Sequence, residues 1–396
     1  MTPLPRVQPD LAVTPTKNYH WRIAGFYFFY FAFVGMFAPY WSLYLRSLGF
    51  AAVQIALLMS IQPVMRMLAP GLWGWLADHT GKRLRVVQLA ALCGVLSYLG
   101  VFFTTQFYGL LLVMGLMSFF WSASMPLVEA TTLTYLGKHS AHYGRIRSWG
   151  SVGFIVSVLG LGYAFDYIAI SWLLWAGLLI MLGILVFSRQ IPPTEVLAHP
   201  SDKQPIRDIV LQPQVLALFG ACFLMALAHG PYYTFYSIYL VEHGYAKSAV
   251  GGLWALGVIC EIGVFFLMPR LMRHASLAQI LMVSMGCAVL RFLLIAWGVE
   301  SLTLLLLAQV LHAATFGAFH AAAVALVHQF FQGRHQSRGQ ALFGSITYGA
   351  GGMLGGLLSG PLWQHWGASV MYSVSACAAL LGLLLMLWRL RSVEGQ

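Results

Sequence analysis

Gly74-Trp-Leu-Ala-Asp78-His-Thr-Gly81-Lys82-Arg83-Leu-Arg85 is a short polar turn set between two long apolar runs. Gly74 leaves room for another helix to come close, and Gly81 suits a tight turn because it has no Cβ. Asp78, near the end of the preceding run, can form charged hydrogen bonds that latch one arrangement of the chain. Lys82, Arg83 and Arg85 would hold the turn at a membrane surface, since basic residues collect on the cytoplasmic side.

Outward from this turn the apolar runs continue along the whole chain. Of 396 residues, 60% are hydrophobic and 8% charged, and mean hydropathy is +0.77, whereas soluble domains carry about 25% charged residues. An ordinary soluble enzyme is excluded. Crossing a bilayer takes about 20 apolar residues, and runs between breakers predict spans near 21–45, 52–76, 86–104, 109–136, 149–165, 169–188, 213–240, 249–269, 276–298, 302–329, 340–362 and 367–388. The fold class expected is an all-α membrane protein with twelve transmembrane helices. The net charge of +11 has two possible sources, nucleic-acid binding or topology, and its distribution decides. Of the 22 Lys and Arg, only Arg46 and Lys247 fall opposite the N-terminal side, Arg66 and Arg291 lie within spans, and the rest, Arg147 among them, share the N-terminal side. Both termini are therefore expected in the cytoplasm, with no nucleic-acid partner. Cys93, Cys222, Cys260, Cys287 and Cys377 all lie in apolar stretches and read as small core residues. The polar N-terminus enters the first run without a small-residue cleavage site, so the first span is expected to stay.

Residues 189–212 form a long polar segment rich in Pro and charge, read as a cytoplasmic linker between halves at 1–188 and 213–396. Tyr40-Trp-Ser-Leu-Tyr-Leu-Arg-Ser-Leu-Gly-Phe50 matches Phe235-Tyr-Ser-Ile-Tyr-Leu-Val-Glu-His-Gly-Tyr245 at an offset of 195 residues. Gly150-Ser151 with Gly162 matches Gly344-Ser345 with Gly356 at 194. Two distant matches at nearly one offset predict a duplication, giving two six-helix pseudo-repeats as in a rocking transporter.

Between spans 2 and 3, residues 74–85 resemble the signature of the major facilitator superfamily, G-x-x-x-D-x-x-G-x-[RK]-[RK]. The conformational motif would be Gly74, Asp78, Gly81 and Arg83. Over nearly its whole length the chain also resembles the phenylpropionate permease family and its nucleoside/proton symporter relatives. That likeness is carried by Tyr143-Gly-Arg-Ile-Arg147-Ser-Trp149-Gly-Ser-Val-Gly-Phe154, Ala228-His229-Gly-Pro-Tyr232-Tyr233, Trp254-Ala-Leu-Gly-Val-Ile-Cys-Glu261 and Gln309-Val-Leu-His312, with Phe316 and His320. The resemblance implies a monomeric, proton-coupled importer of small aromatic monocarboxylates in a bacterial inner membrane. It would be driven by the proton gradient, without a cofactor, and surrounded by lipid. The alternative within the same class is a nucleoside or sugar symporter.

An enzyme is the competing class. The chain has no GxxxxGK[ST] phosphate loop and no H-E-x-x-H. His312 and His320, the spacing a metal site would need to exploit, turn through about 800° at the regular helical repeat and end about 80° out of register. An intramembrane metalloenzyme would require bound metal, and a symporter would not.

Charges inside a span cost about 2.5 to 3.5 kcal/mol on insertion scales, so each is a functional candidate. From a rise of about 1.5 Å per residue, Arg66, Glu129 and Glu261 fall in one layer slightly inside the midplane. Arg66 and Glu261 also share the 195-residue offset. Glu129 joins Ser118 and Ser122 on one helix face, beside the carbonyl that Pro126 frees. Glu129 is expected to carry the proton, with Glu261 second and His320 as a relay. Family architecture implies that spans 1, 4, 7 and 10 line the cavity. Arg66 would then clamp a carboxylate bidentately. Tyr30, Phe37, His229, Tyr233, Tyr236 and His312 would meet the substrate, and Arg291 would form a structural ion pair with Glu261. The span 8 Glu, span 9 Arg and span 10 His are similar to those of lactose permease, but Val327-His328-Gln329 lacks the acidic residue expected after its histidine.

Overall fold

The computed structural model describes residues 19–137, 142–192 and 206–389, without the side chains of Arg334 and Ser337. The N-terminal tail, Lys138, the linker's central residues 193–205 and the last seven residues lie outside the described residues. Among those described, the regular structure is helical. Eleven helices are long and apolar enough to cross a membrane: α1 His20–Ser47, α2 Ala52–Thr80, α3 Arg83–Phe102, α4 Phe107–Leu136, α5 Tyr143–Phe165, α6 Ile170–Ser188, α7 Pro213–Glu242, α8 Lys247–His274, α9 Leu277–Trp297, α10 Leu302–Phe330 and α11 Arg338–Arg389. Helices are the natural solution here because lipid offers backbone groups no partners, so each must be satisfied within its own segment.

The sequence predicts twelve spans where eleven helices are found, and the difference lies in α11. This segment is 52 residues long and holds two of the expected spans, 340–362 and 367–388. At Gly367 the backbone takes φ 78° and ψ 177°, so two helices meet there at a break with no loop between them. Gly81 behaves as its type suggests, ending α2 with a left-handed φ of 63°.

Close helix crossings are made by glycine, as is usual where packing rather than hydrophobicity drives association in lipid. Gly35 brings α1 against α5, where a Cβ would stand 2.7 Å from the Phe154 carbonyl oxygen. Gly230, 195 residues later, brings α7 against the Gly355–Gly356 backbone of α11.

The first six helices meet the later ones chiefly at the end of the bundle away from the termini. There a Cβ on Gly251 of α8 would lie 2.5 Å from the Val158 carbonyl oxygen of α5, and one on Gly162 of α5 would lie 2.8 Å from the Lys247 carbonyl oxygen. Tyr40 fills the wedge, donating to the Val158 carbonyl at 2.6 Å. The matching crossing of α2 with α11 sets Gly360 against Ala56 and Val53, and Gly356 against Ser60. Contact continues to Met67 against Gly349, but beyond it Gly71 and Gly74 have no atom within 4 Å of where a Cβ would stand. The central space opens toward the end that carries the termini.

Candidate functional site

Two aromatic walls face this space. On the first, Tyr30 of α1 stacks on Trp121 of α4, with centroids 4.4 Å apart and planes at 8°. The Arg66 guanidinium of α2 lies over the same Trp121 at 5.7 Å. One turn beyond Pro126, Glu129 of α4 accepts a hydrogen bond from the hydroxyl of Tyr143 on α5. A helical turn after Tyr143, Arg147 lies over Phe31 at 4.0 Å and Tyr27 at 5.6 Å.

The opposite wall is built by α7, α8, α10 and α11. Glu261 of α8 rests against Gly317 of α10, where a Cβ would stand 3.0 Å from its Cγ. His320 Nδ1 and the Tyr348 hydroxyl of α11 are 2.7 Å apart. Glu261 makes no ion pair or hydrogen bond with a described residue, and Arg147 is the cation whose charge reaches it.

Three expectations need correction. Arg291 does not pair with Glu261. It is fully buried on α9, donates from Nε to the Ala308 carbonyl at 3.1 Å and from Nη1 to His229 Nε2 at 3.1 Å, and lies over Tyr232 at 4.2 Å. Second, His312 and His320 are not out of register. Residues Ala313–Ala318 of α10 form a π-helix, which turns less per residue than an α-helix and so brings side chains eight apart into line. His312 stacks on Phe316 at 5.5 Å and Phe316 on His320 at 6.3 Å. Third, Ser118 and Ser122 are buried, and the Ser122 hydroxyl returns to the Ser118 carbonyl at 2.7 Å, so the open polar face reduces to Glu129.

The remaining expected residues divide between the space and the interior. Phe37 is buried between Phe33 and Trp41, and His229, His312 and Tyr236 are buried within the later helices. Gln309 ties Tyr236 to Tyr232, donating to the Tyr236 hydroxyl at 2.7 Å and accepting from Tyr232 at 3.1 Å. Tyr233 is part-exposed. In the 74–85 turn, Asp78 is exposed and makes no hydrogen bond or ion pair with a described residue, and Gly74 has no close neighbour. The latching contact expected of Asp78 is not made with a described residue in this conformation. Among the described residues, no three His, Cys, Asp or Glu side chains converge as a group able to hold a metal.

Residues 20–374 match the MFS_1 like family. The chain belongs to this family. It is a secondary transporter of the major facilitator type and not an enzyme. It is 30% identical over 369 residues to the "Probable 3-phenylpropionic acid transporter" of Escherichia coli (strain K12), covering 91% of this chain and 96% of that one. It is 26% identical to the maltose permease of Geobacillus stearothermophilus, over 91% and 92%. The crystal structure of the nucleoside transporter NupG shares its fold, with a TM-score of 0.81 and 17% identity over 93% of this chain and 98% of that one.

Arg147 is the residue of this transporter's central site that the sequence reading passed over. Its side of the membrane grouped it with the cytoplasmic cations. The available signal was its spacing from Tyr143, four residues on a helix, which puts both side chains on one face.

Proposed function

We propose that this transporter imports small aromatic monocarboxylates together with protons. It does so as a monomer of twelve spans, arranged as six-helix halves at 1–188 and 213–396 joined by the 189–212 linker. Both termini are cytoplasmic and the membrane is a bacterial inner membrane. The break at Gly367, which divides α11 into two helices, and the paired crossings at Gly35 and Gly230 support the two-repeat reading. With the termini in the cytoplasm, the open space faces inward.

The observation that carries the substrate class is the pairing of two guanidinium groups, Arg66 and Arg147, with aromatic faces on one side of the space. Neither makes an ion pair with a described carboxylate. A planar acid would lay its ring on the aromatic wall and offer its carboxylate to a cation already held in place. The name of the Escherichia coli relative, a probable 3-phenylpropionic acid transporter, favours the same class. Glu129, Glu261 and His320 are proposed as the proton-handling groups, Glu129 foremost, with Tyr143 positioning it.

A second reading has its own observation. Two carboxylates, Glu129 and Glu261, among tyrosine hydroxyls would also suit a neutral, hydroxyl-rich substrate such as a nucleoside or sugar. Uptake of labelled phenylpropionate-like acids, nucleosides and galactosides, with and without an imposed proton gradient, separates the two. Gradient-dependent uptake of the acids alone is expected, and uptake confined to nucleosides or sugars would replace the proposal by its alternative.

A further inference from the structure

A π-helical turn such as Ala313–Ala318 of α10 is rare, and turns of this kind lie mostly at functional sites. This one is gripped at two points by neighbouring helices. Arg291 of α9 donates from Nε to the Ala308 carbonyl, just before the turn, at 3.1 Å. Its Nη1 donates to His229 Nε2 of α7 at 3.1 Å, and the same Nε2 stands 3.3 Å from the Thr315 hydroxyl oxygen inside the turn. That hydroxyl oxygen is also 3.3 Å from the carbonyl oxygen of His312, where the turn begins. Arg291 and His229 are thus one bonded unit, holding α10 on both sides of the point where α-helix becomes π-helix.

The chemistry of the unit is fixed. His229 Nδ1 donates to the Met225 carbonyl at 2.8 Å, which leaves Nε2 as the acceptor and the ring neutral. Arg291 is 0% exposed and stays protonated at any pH the protein meets. No carboxylate lies within ion-pair distance of it among the described residues. A buried cation without a carboxylate is costly to keep, and what it provides here is position. A guanidinium spreads its donors in a rigid fork, so one group fixes a carbonyl and a ring nitrogen at a set spacing.

The turn in its place decides where His320 lies. With it, His312, Phe316 and His320 stack at 5.5 and 6.3 Å, and His320 Nδ1 meets the Tyr348 hydroxyl at 2.7 Å. Tyr348 itself belongs to the second π-helical segment, Ser345–Gly351 of α11. Relaxed to regular α-helix, the turn would leave His320 rotated by about 80° from His312, out of the stack and away from Tyr348. We propose, resting on His320 as a proton-handling group, that Arg291 and His229 are its positioning residues, acting through the π-helical turn of α10.

The test compares His229→Phe, which keeps a ring but offers Arg291 no acceptor, with His229→Gln, whose amide oxygen can take the place of Nε2. In a structure of the purified His229→Phe transporter, residues 313–318 are expected to relax to α-helix and His320 to part from Tyr348. In proteoliposomes, gradient-driven accumulation of labelled phenylpropionate by that variant should fall several-fold while exchange of internal for external substrate is kept, and His229→Gln should recover most of the loss. His229→Phe added to His320→Asn should cost nothing further, because both act on one group, whereas a general folding defect would add to it. If His229→Phe fails to insert, Thr315→Val, which removes the hydroxyl at the other hold, carries the same measurements with the same expected directions. A π-helical turn and a His320 to Tyr348 contact that survive unchanged in the variant overturn the proposal, as does additive loss in the double variant. Full gradient-driven uptake in His320→Asn alone would instead remove His320 from proton handling, and the structure of the His229→Phe variant then decides the positioning by itself.

Discussion

Arg66 holds a guanidinium over Trp121 without a carboxylate partner, so its planar donors are available to a ligand. Arg66→Lys keeps the charge but loses the two-pronged geometry. It is expected to raise KM for acidic substrates about tenfold, equivalent to about 1.4 kcal/mol, and uptake kinetics at matched expression will show it. Normal KM in that variant would remove Arg66 from substrate recognition. Glu129→Gln mimics a permanently protonated carboxyl. It should end gradient-driven accumulation while preserving exchange of internal for external substrate, whereas intact uphill uptake would move the proton group elsewhere. At this scale the sequence was informative about which residues are chemically unusual and less so about their partners. Arg66, Glu129 and Glu261 stand out because a charge in lipid is costly. Arg291 stands out equally, yet its company of His229, the Ala308 carbonyl and Tyr232 depends on how α7, α9 and α10 rotate against one another. A single chain's pattern does not encode that rotation.

Two helix ends meet at the side of the bundle away from the termini, and each completes the other. Helix α8 begins after Ala246, which has no side chain able to cap it. Asp166, just past α5, supplies the cap from across the interface, accepting from the N–H groups of Lys247 at 2.8 Å and Ser248 at 3.3 Å. In return the Lys247 ammonium donates to the Phe165 carbonyl at 3.1 Å, and Arg46 with Glu242 ties α1 to α7 nearby at 3.0 Å. The Ser248 hydroxyl and these N–H groups hold the Asp166 carboxyl below its ordinary range. A carboxyl lowered in this way stabilises the closed contact while ionised, and the contribution is lost as pH falls through its depressed pKa. Asp166→Asn should therefore shift the carrier toward opening on this side, by the low end of a cap's worth, about 0.5 kcal/mol. Spectroscopic distances between labels on the α5 and α8 ends should show that shift, and its acid-induced counterpart should vanish in the variant. Unchanged distances would mean the cap is incidental. Helix positions were legible because hydrophobic runs and breakers mark them. The π-helical segments Ala313–Ala318 and Ser345–Gly351 were not, because an extra residue in a turn leaves the apolar pattern almost untouched while changing which side chains align.

Taken whole, the molecule is closed at one end and open at the other, and the 74–85 turn lies on the open side with Asp78 exposed. Asp78→Asn should consequently insert normally and cost no more than about 0.5 kcal/mol of stability, yet slow turnover by weakening the state in which that side closes. Equal turnover at equal expression would show that the motif's carboxylate has no latching role here. Moving such a carrier from one face to the other takes a differential affinity of about 5.5 kcal/mol when the populations start at 1:99 and end at 99:1, so each contact holding the closed end matters. The crossings at Gly162, Gly251, Gly356 and Gly360 bear on how fast it moves. Interlocked side chains act as gear teeth, and two toothed surfaces must disengage before either can advance. These four glycines lie in two crossings, α5 with α8 and α2 with α11, where helix meets helix through bare backbone, the Tyr40 hydroxyl and the small side chains of Ser60 and Ala56, smooth shafts that can roll past one another without disengaging. The drag on the stroke then comes from the oil around the shafts, and turnover in vesicles should follow acyl-chain fluidity, slowing as saturated lipid replaces unsaturated.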